Sequence, residues 1–176
     1  MRIEPVTRRN LDDFVRLFAA RGAPHYCWCA NYRFRDAHEY DRAQRRAAMR
    51  KSVTNGTPIG VLAYVADEPV GWCSVAPRET YVKLERSRTM PRVSDAPTWT
   101  VLCFYVQRAH RAQGVSLALL RGAVTYALDS GAQEIEGYPY DTAGISSRHR
   151  GHSRLFRRAG FRLSGKRWLL RKQRRA

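Results

Sequence analysis

The chain has 176 residues, 44% of them apolar, and its 32 arginines and lysines against 15 acidic residues give a formal net charge of +17. That length suits one domain with one real core, and no apolar run approaches the roughly 20 residues of a membrane-spanning helix. A field this positive repels cationic partners and attracts polyanions, nucleic acid included.

Nearly all the basic residues are arginine, with lysine only at positions 51, 83, 166 and 172. A GC-rich genome explains arginine over lysine, but not the excess over Asp and Glu. The opening MRIEPVTRRN lacks the apolar segment of a secretory leader, so a cytoplasmic protein is expected. Cys27, Cys29, Cys73 and Cys103 then read as reduced thiols. Cys27 and Cys29 form a C-x-C pair without a second pair, so a zinc site is not expected. Cys73 and Cys103 lie in strand-like runs and read as small core hydrophobes.

In chain order, residues 2–6 read as a strand. Residues 11–20 read as an amphipathic helix with Leu11, Phe14, Val15, Leu17 and Phe18 on one face, ended by Gly22 and Pro24. Residues 25–34, HYCWCANYRF, have no period. They are either a loop folded over the core or one wall of a binding site. Residues 36–53 are helical in pattern, with Tyr40, Ala43, Ala47, Ala48 and Met49 as the packed face. Residues 59–66 and 70–75 are strands joined by a tight turn at Asp67-Glu68-Pro69. Residues 77–97 are irregular and charged, with a short helical turn at 81–86. That connection is longer than most and suits a lid or substrate loop. A strand at 133–138 is stopped by Pro139, and a loop over 141–151 carries Ser146, Ser147, Arg148, His149 and Arg150. Residues 153–159 form a short helix capped by Gly160. Residues 161–170 form one or two strands, and the basic tail 171–176 frays. The whole chain is therefore expected to be one α/β domain with a mixed sheet.

The most informative stretch runs over residues 98–129. An apolar, β-branched and aromatic run at 99–106 is one buried strand, and a basic turn follows. After Gly114 come Val115, Leu117, Leu119, Leu120, Val124 and Leu128, spaced for a helix packed on a sheet. A helix start has N–H groups without intrahelical acceptors and a positive dipole end, so it suits a phosphate. Gly114 lets a pyrophosphate approach the backbone. Ser116 adds a donor, and Arg111 adds charge at the mouth. A plain turn explains a lone glycine equally well. No Gly-Lys-Ser/Thr follows, and no Gly-x-Gly is present, so neither a Walker loop nor a dinucleotide fingerprint is indicated.

The full wording, Arg111-Ala112-Gln113-Gly114-Val115-Ser116 after a strand, resembles the Arg/Gln-x-x-Gly-x-Gly/Ala motif of the GCN5-related N-acetyltransferase (GNAT) family. Leu155-Phe156-Arg157-Arg158-Ala159-Gly160-Phe161 resembles that family's late Leu-Tyr-x-x-x-Gly-Phe motif. The stretches from Gly71 to Arg78, Tyr26 to Cys29 and Glu136 to Pro139 resemble a bacterial subgroup. The resemblance covers nearly the whole chain. It implies the GNAT fold, a mixed central sheet flanked by helices, with a bulged central strand splayed from its neighbour. It also implies transfer of the acetyl group of acetyl-coenzyme A to a primary amine. Phe104, Tyr105, Val106, Arg111, Gln113, Gly114, Val115 and Ser116 would then line the coenzyme path.

The chemistry requires a polarised thioester carbonyl, here from a strand N–H near residues 104–106, and a base or water chain for the amine proton. The family tyrosine that protonates the leaving thiolate is Phe156 here, and the central strand lacks the glutamate that other relatives use as base. Glu136 and His149 are the candidate catalytic residues, with Tyr138, Tyr140 and Asp141 as further candidates. Glu136 reads equally as a salt-bridge partner, and His149 as a solvent-facing loop residue.

Trp28, Arg78 and Tyr138 are the candidate substrate contacts. The presumed acceptor walls carry aromatic rings with Arg33, Arg86, Arg88, Arg92, Arg148 and Arg150, and few acidic groups. They suit a small-molecule or peptide amine that also bears a carboxylate or phosphate. The alternative is a catalytically weak acetyl-coenzyme A-binding or regulatory module whose basic surface meets RNA or another polyanion.

Overall fold

The computed structural model describes residues 1–141 and 149–172. The loop residues Ser146, Ser147 and Arg148, and the tail 173–176, lie outside the described residues.

Strand β1 (Arg2–Pro5) leads into helix α1 (Leu11–Ala19), whose Leu11, Phe14, Leu17 and Phe18 are buried as their spacing predicts. Helix α2 is Arg42–Thr54 and starts later than the sequence pattern suggests. The reason is local. The Asp41 carboxylate accepts from the Gln44 N–H at 2.7 Å, while the Gln44 side chain accepts from the Asp41 N–H at 2.8 Å. This capping box fixes the first turn at residue 42. The helix buries Met49 and Val53 rather than the alanine face, and Ala43 and Ala47 are exposed.

Strands β2 (Val61–Val65) and β3 (Glu68–Pro77) form a hairpin whose turn residues Ala66 and Asp67 have φ of 46° and 62°. Both turn positions are left-handed, as a primed hairpin turn requires, although neither is glycine. Helix α3 (Val82–Glu85) is the short turn expected within the long connection. Strand β4 (Thr98–Val106), helix α4 (Val115–Asp129) and strand β5 (Glu134–Gly137) follow. Helix α5 (Ser153–Arg158) precedes a closing hairpin, β6 (Arg162–Ser164) and β7 (Arg167–Arg171).

The strands form one seven-stranded sheet in the order β1-β2-β3-β4-β5-β7-β6, in which only β4 and β5 are parallel. On one face, Val115, Leu119, Leu120, Ala123 and Ala127 of α4 pack with Phe156 and Phe161 against the strands. On the other face, α1 packs Phe14 and Phe18 against Trp28 and Trp72, with Met49 and Val53 of α2. Both faces are covered, which is why β2, β3 and β4 read as near-continuous apolar runs rather than as alternating patterns.

Two irregularities open the sheet at its centre. Ser74 of β3 pairs with Cys103 of β4, but Val75 pairs with Val101, so Leu102 is an extra residue on β4. Beside it, β4 pairs with β5 only from Thr98↔Glu134 to Val101↔Gly137. Beyond that point β5 ends while β4 continues to Val106, so residues 102–106 have no strand partner on the β5 side among the described residues. The expected splay is therefore present.

Candidate active site

The opened edge of β4 leads to a cleft of about 730 Å³. Its floor comes from β4, through Leu102, Cys103, Phe104 and Tyr105, and from Ser74 of β3. The segment after α1 supplies Tyr26, Cys27, Cys29, Asn31 and Tyr32, and Tyr81, Arg111 and His149 complete the wall. Leu102, the extra residue of the bulge, lines the cleft together with Cys103, Phe104 and Tyr105, which follow it.

Arg111, on the cleft wall, precedes the N-cap of α4 by three residues. Gly114 is the N-cap with φ +80°, and Ala112 before it has φ 60°. The N–H groups of Leu117 and Ala118 both bond to the Gly114 carbonyl at 3.0 and 3.1 Å. The N–H groups before them in the first turn have no intrahelical acceptor, and no side chain caps them. A Cβ built on Gly114 meets nothing within 4 Å, so the space before these amides is open. Arg111 donates from Nε to the Val106 carbonyl at 3.0 Å, which fastens the loop to the end of β4 and holds the guanidinium at the cleft.

Of the residues expected to hold the coenzyme, Phe104, Tyr105 and Arg111 line the cleft. Gly114 and Ser116 sit at the start of the helix. Val106 and Val115 offer only backbone, because their side chains are buried in the core. Gln113 turns back to bond the Ala109 carbonyl at 2.9 Å. Burial raises the Tyr105 hydroxyl above its ordinary pKa, and nearby Arg111 partly opposes the rise.

Four expected site residues lie elsewhere. Trp28 is buried, stacked on Phe18 with ring centroids 5.4 Å apart, and packs the core instead of an acceptor. Glu136 is fully buried on β5. Its Oε1 accepts from Arg78 and from Thr100 Oγ1 at 2.9 Å, and its Oε2 accepts from Arg167 at 2.8 Å. Arg78, also buried, donates as well to Tyr138 Oη at 3.0 Å and to the Met90 carbonyl at 2.6 Å, and pairs with Glu85 at 2.8 Å. Glu136, Arg78 and Tyr138 therefore form a buried network, which ties the long connection after β3 to β5. None of the three lines the cleft. Burial, with Glu136 as the next cause, pushes the Tyr138 hydroxyl up to about 12. His149, by contrast, is on the cleft wall. Phe156 is fully buried, with Phe161 5.1 Å away edge-on, and serves as packing.

The charges around the cleft differ from those of the presumed walls. Arg33 and Arg78 are buried in the protein, and Arg92 meets Glu85 and Glu79 at 3.4 and 3.8 Å. The lining keeps Arg111 and His149 as basic groups and has no carboxylate among the described residues. Tyr81, Cys27 and Cys29 fall within the presumed acceptor walls, whereas Ser74 and the contact between Cys29 and Cys103 were not legible in the sequence. The Cys29 thiol donates to Cys103 Sγ at 3.1 Å and accepts from Trp72 Nε1 at 3.2 Å. The bond to Cys103, followed by burial, holds Cys29 well above the ordinary thiol range. The one available signal was an arginine, Arg33, inside an aromatic and cysteine-rich run.

A mixed sheet with a bulged central strand, open on its β5 side and followed by a glycine-started helix, defines an α/β domain of a recognisable class. The Acetyltransferase (GNAT) family pattern matches residues 18–150. The chain belongs to this family. The fold is shared with the aminoglycoside 6'-N-acetyltransferase of Acinetobacter haemolyticus, at 20% identity over 94% of each chain with a TM-score of 0.55. It is shared with the ribosomal-protein-alanine N-acetyltransferase of Brucella melitensis, at 15% identity over 98% of this chain and 100% of that one, with a TM-score of 0.54. A further Brucella melitensis family member, solved with acetyl-CoA, matches at 11% identity over 98% of this chain and 88% of its own, with a TM-score of 0.52. No curated protein matches the sequence.

Proposed function

We propose that this protein moves the acetyl group of acetyl-coenzyme A to a primary amine whose carrier also bears a carboxylate or phosphate. The observation behind this reading is the continuity of the unpaired β4 edge with the uncapped, left-handed start of α4. The loop amides of residues 113–116 and Arg111 would take the pyrophosphate, and the pantetheine arm would run beside residues 104–106. Membership of an acetyltransferase family and a fold relative solved with acetyl-CoA support it. His149 is the proposed proton acceptor, directly or through water, because it lies on the cleft and Glu136 does not. Glu136 acts indirectly, by fixing the end of β5.

The acceptor class follows from charge. One fold relative is named for aminoglycosides, which are polycations. Holding such a substrate requires carboxylates, and the described lining offers Arg111, His149 and tyrosine rings instead. Aromatic faces beside a guanidinium suit an amino acid or a similar metabolite, with an aminoacylated nucleic acid a less close fit. The test is release of coenzyme A thiol over a panel of amines at two salt concentrations. Amines bearing carboxylates or phosphates should show the higher kcat/KM, with the advantage shrinking as salt rises. A preference for kanamycin-like or spermidine-like polycations contradicts the acceptor assignment. Binding of the coenzyme with no turnover on any amine points to a regulatory module.

A further inference from the structure

Below the cleft floor lies a buried cation without a counterion among the described residues. Arg33 is 4% exposed and forms no ion pair with a carboxylate among the described residues. Its charge is met by neutral oxygens. Nη2 has the Ile59 carbonyl at 2.7 Å, Tyr81 Oη at 2.9 Å and Ser74 Oγ at 3.1 Å within reach and shares its two hydrogens among these three acceptors. Nη1 reaches the Pro58 carbonyl at 3.3 Å and Thr80 Oγ1 at 3.4 Å, and the guanidinium carbon sits 4.3 Å from the centroid of the Tyr81 ring. Burying a cation this way is costly.

The hydrogens of the two hydroxyls can be counted. Ser74 Oγ and Tyr81 Oη lie 3.0 Å apart, so one hydroxyl donates to the other, and both oxygens face Arg33 Nη2, which has no lone pair to accept a hydroxyl hydrogen. Each hydroxyl carries one hydrogen. One is used between them, and the second has no acceptor among the described residues. Ser74 and Tyr81 are both 1% exposed, and both line the cleft. Ser74 is also the β3 partner of Cys103, so the pair stands beside the Leu102 bulge.

The geometry points to a hydrogen-bond donor for the leaving sulfur of the thioester, formed by the Ser74–Tyr81 hydroxyl pair and polarised by Arg33. This assignment rests on the acetyl-transfer reading above, and it places at residue 81 an aid to departure that Phe156 cannot give. In the step, the amine nitrogen has bonded to the acetyl carbon. The carbon–sulfur bond then breaks with its electron pair going to sulfur. The amine proton leaves through His149 or water, and the thiolate, held by the hydroxyl hydrogen bond, later takes a proton from solvent. The hydroxyl keeps its own hydrogen throughout. Burial supports that last point, since it pushes Tyr81 up to about 12 with Arg33 only partly opposing. An ordinary thiol ionises near 8.5, so Tyr81 stays protonated where a thiolate forms.

The test reads the thiol itself and needs no acceptor. Coenzyme A is bound to the full protein, and its thiol ionisation is followed by ultraviolet difference absorbance. A donor aimed at sulfur stabilises the thiolate, so the bound thiol should ionise about one pH unit lower in wild type than in Tyr81→Phe. Ser74→Ala should shift it less, because Tyr81 can still donate. With an accepted amine, Tyr81→Phe should lower kcat about 10²-fold at unchanged coenzyme affinity, the usual effect of losing one donor to developing charge. A fluorinated tyrosine at 81 keeps the shape and donates more strongly, so it should lower the bound thiol further even if Tyr81→Phe folds poorly. Equal thiol ionisation in wild type and the Ser74→Ala/Tyr81→Phe double variant overturns the inference. Failure of wild type to bind coenzyme A instead overturns the acetyl-transfer reading beneath it.

Discussion

The ring of Phe156 occupies the space where Gly137 would carry a side chain. A Cβ built on Gly137 would lie 2.8 Å from Phe156 Cζ, with ring atom Cε1 closer still. Gly137 is the last residue of β5, at the point where β4 and β5 part, so this contact seats α5 against the splay. Gly137→Ala should cost about 1–3 kcal/mol through overpacking. Urea denaturation checks it, and an unchanged midpoint contradicts the packing described.

The buried network and the cleft histidine should separate stability from rate. Glu136→Ala leaves Arg78 and Arg167 without their shared partner, and breaking a buried pair this way should cost about 3–5 kcal/mol. Glu136→Gln should be milder, destabilising the fold with little effect on kcat. His149→Ala should do the reverse, lowering kcat about 10²-fold at pH 7 with little effect on stability. A Glu136→Gln enzyme of normal stability and no activity would return Glu136 to the role of base.

Stability should fall at alkaline pH for a traceable reason. Tyr81 and Tyr138 are each pushed up to about 12 in the fold, chiefly by burial. Unfolded tyrosine ionises near 10. Below pH 10 both states keep the protons, and this contribution is fully present. Between about 10 and 12 the unfolded state releases them first, so stability drops on the order of 1 kcal/mol per pH unit for each tyrosine. Denaturation across this window should show the slope, and Tyr138→Phe should reduce it. A flat profile in wild type contradicts the burial of these hydroxyls.

Much of the frame was legible because it is written in local chemistry. The α1 face, the strand at β4, the Gly114 helix start and the role of Phe156 all follow from spacing or from one residue's properties. The late start of α2 was also legible in Asp41 and Gln44, but the helical pattern before it masked the cap. The arginines were not legible. Arg33, Arg78 and Arg167 look like surface charges in a chain at +17, yet each is buried against partners far away in sequence, such as Ser74, Met90 and Glu136. HYCWCANYRF resolves into both of its readings. Tyr26, Cys27, Asn31 and Tyr32 line the cleft, while Trp28 and Arg33 are buried in the protein. Left-handed backbone at Trp28 and Cys29, with φ of 51° and 52°, produces that division, and no residue type there announces it.

The start of α4 is the proposed seat of the pyrophosphate of acetyl-coenzyme A. Calorimetric titration of coenzyme A into wild type and Gly114→Asp tests it most directly. Gly114 has φ +80°, so aspartate adds strain there as well as a negative charge at the amides. A Gly114→Ala control carries the strain alone. Wild type should bind with an affinity that weakens with salt, Gly114→Ala should lose a modest part of it, and Gly114→Asp should show no measurable binding. Equal affinity in wild type and Gly114→Asp contradicts the assignment.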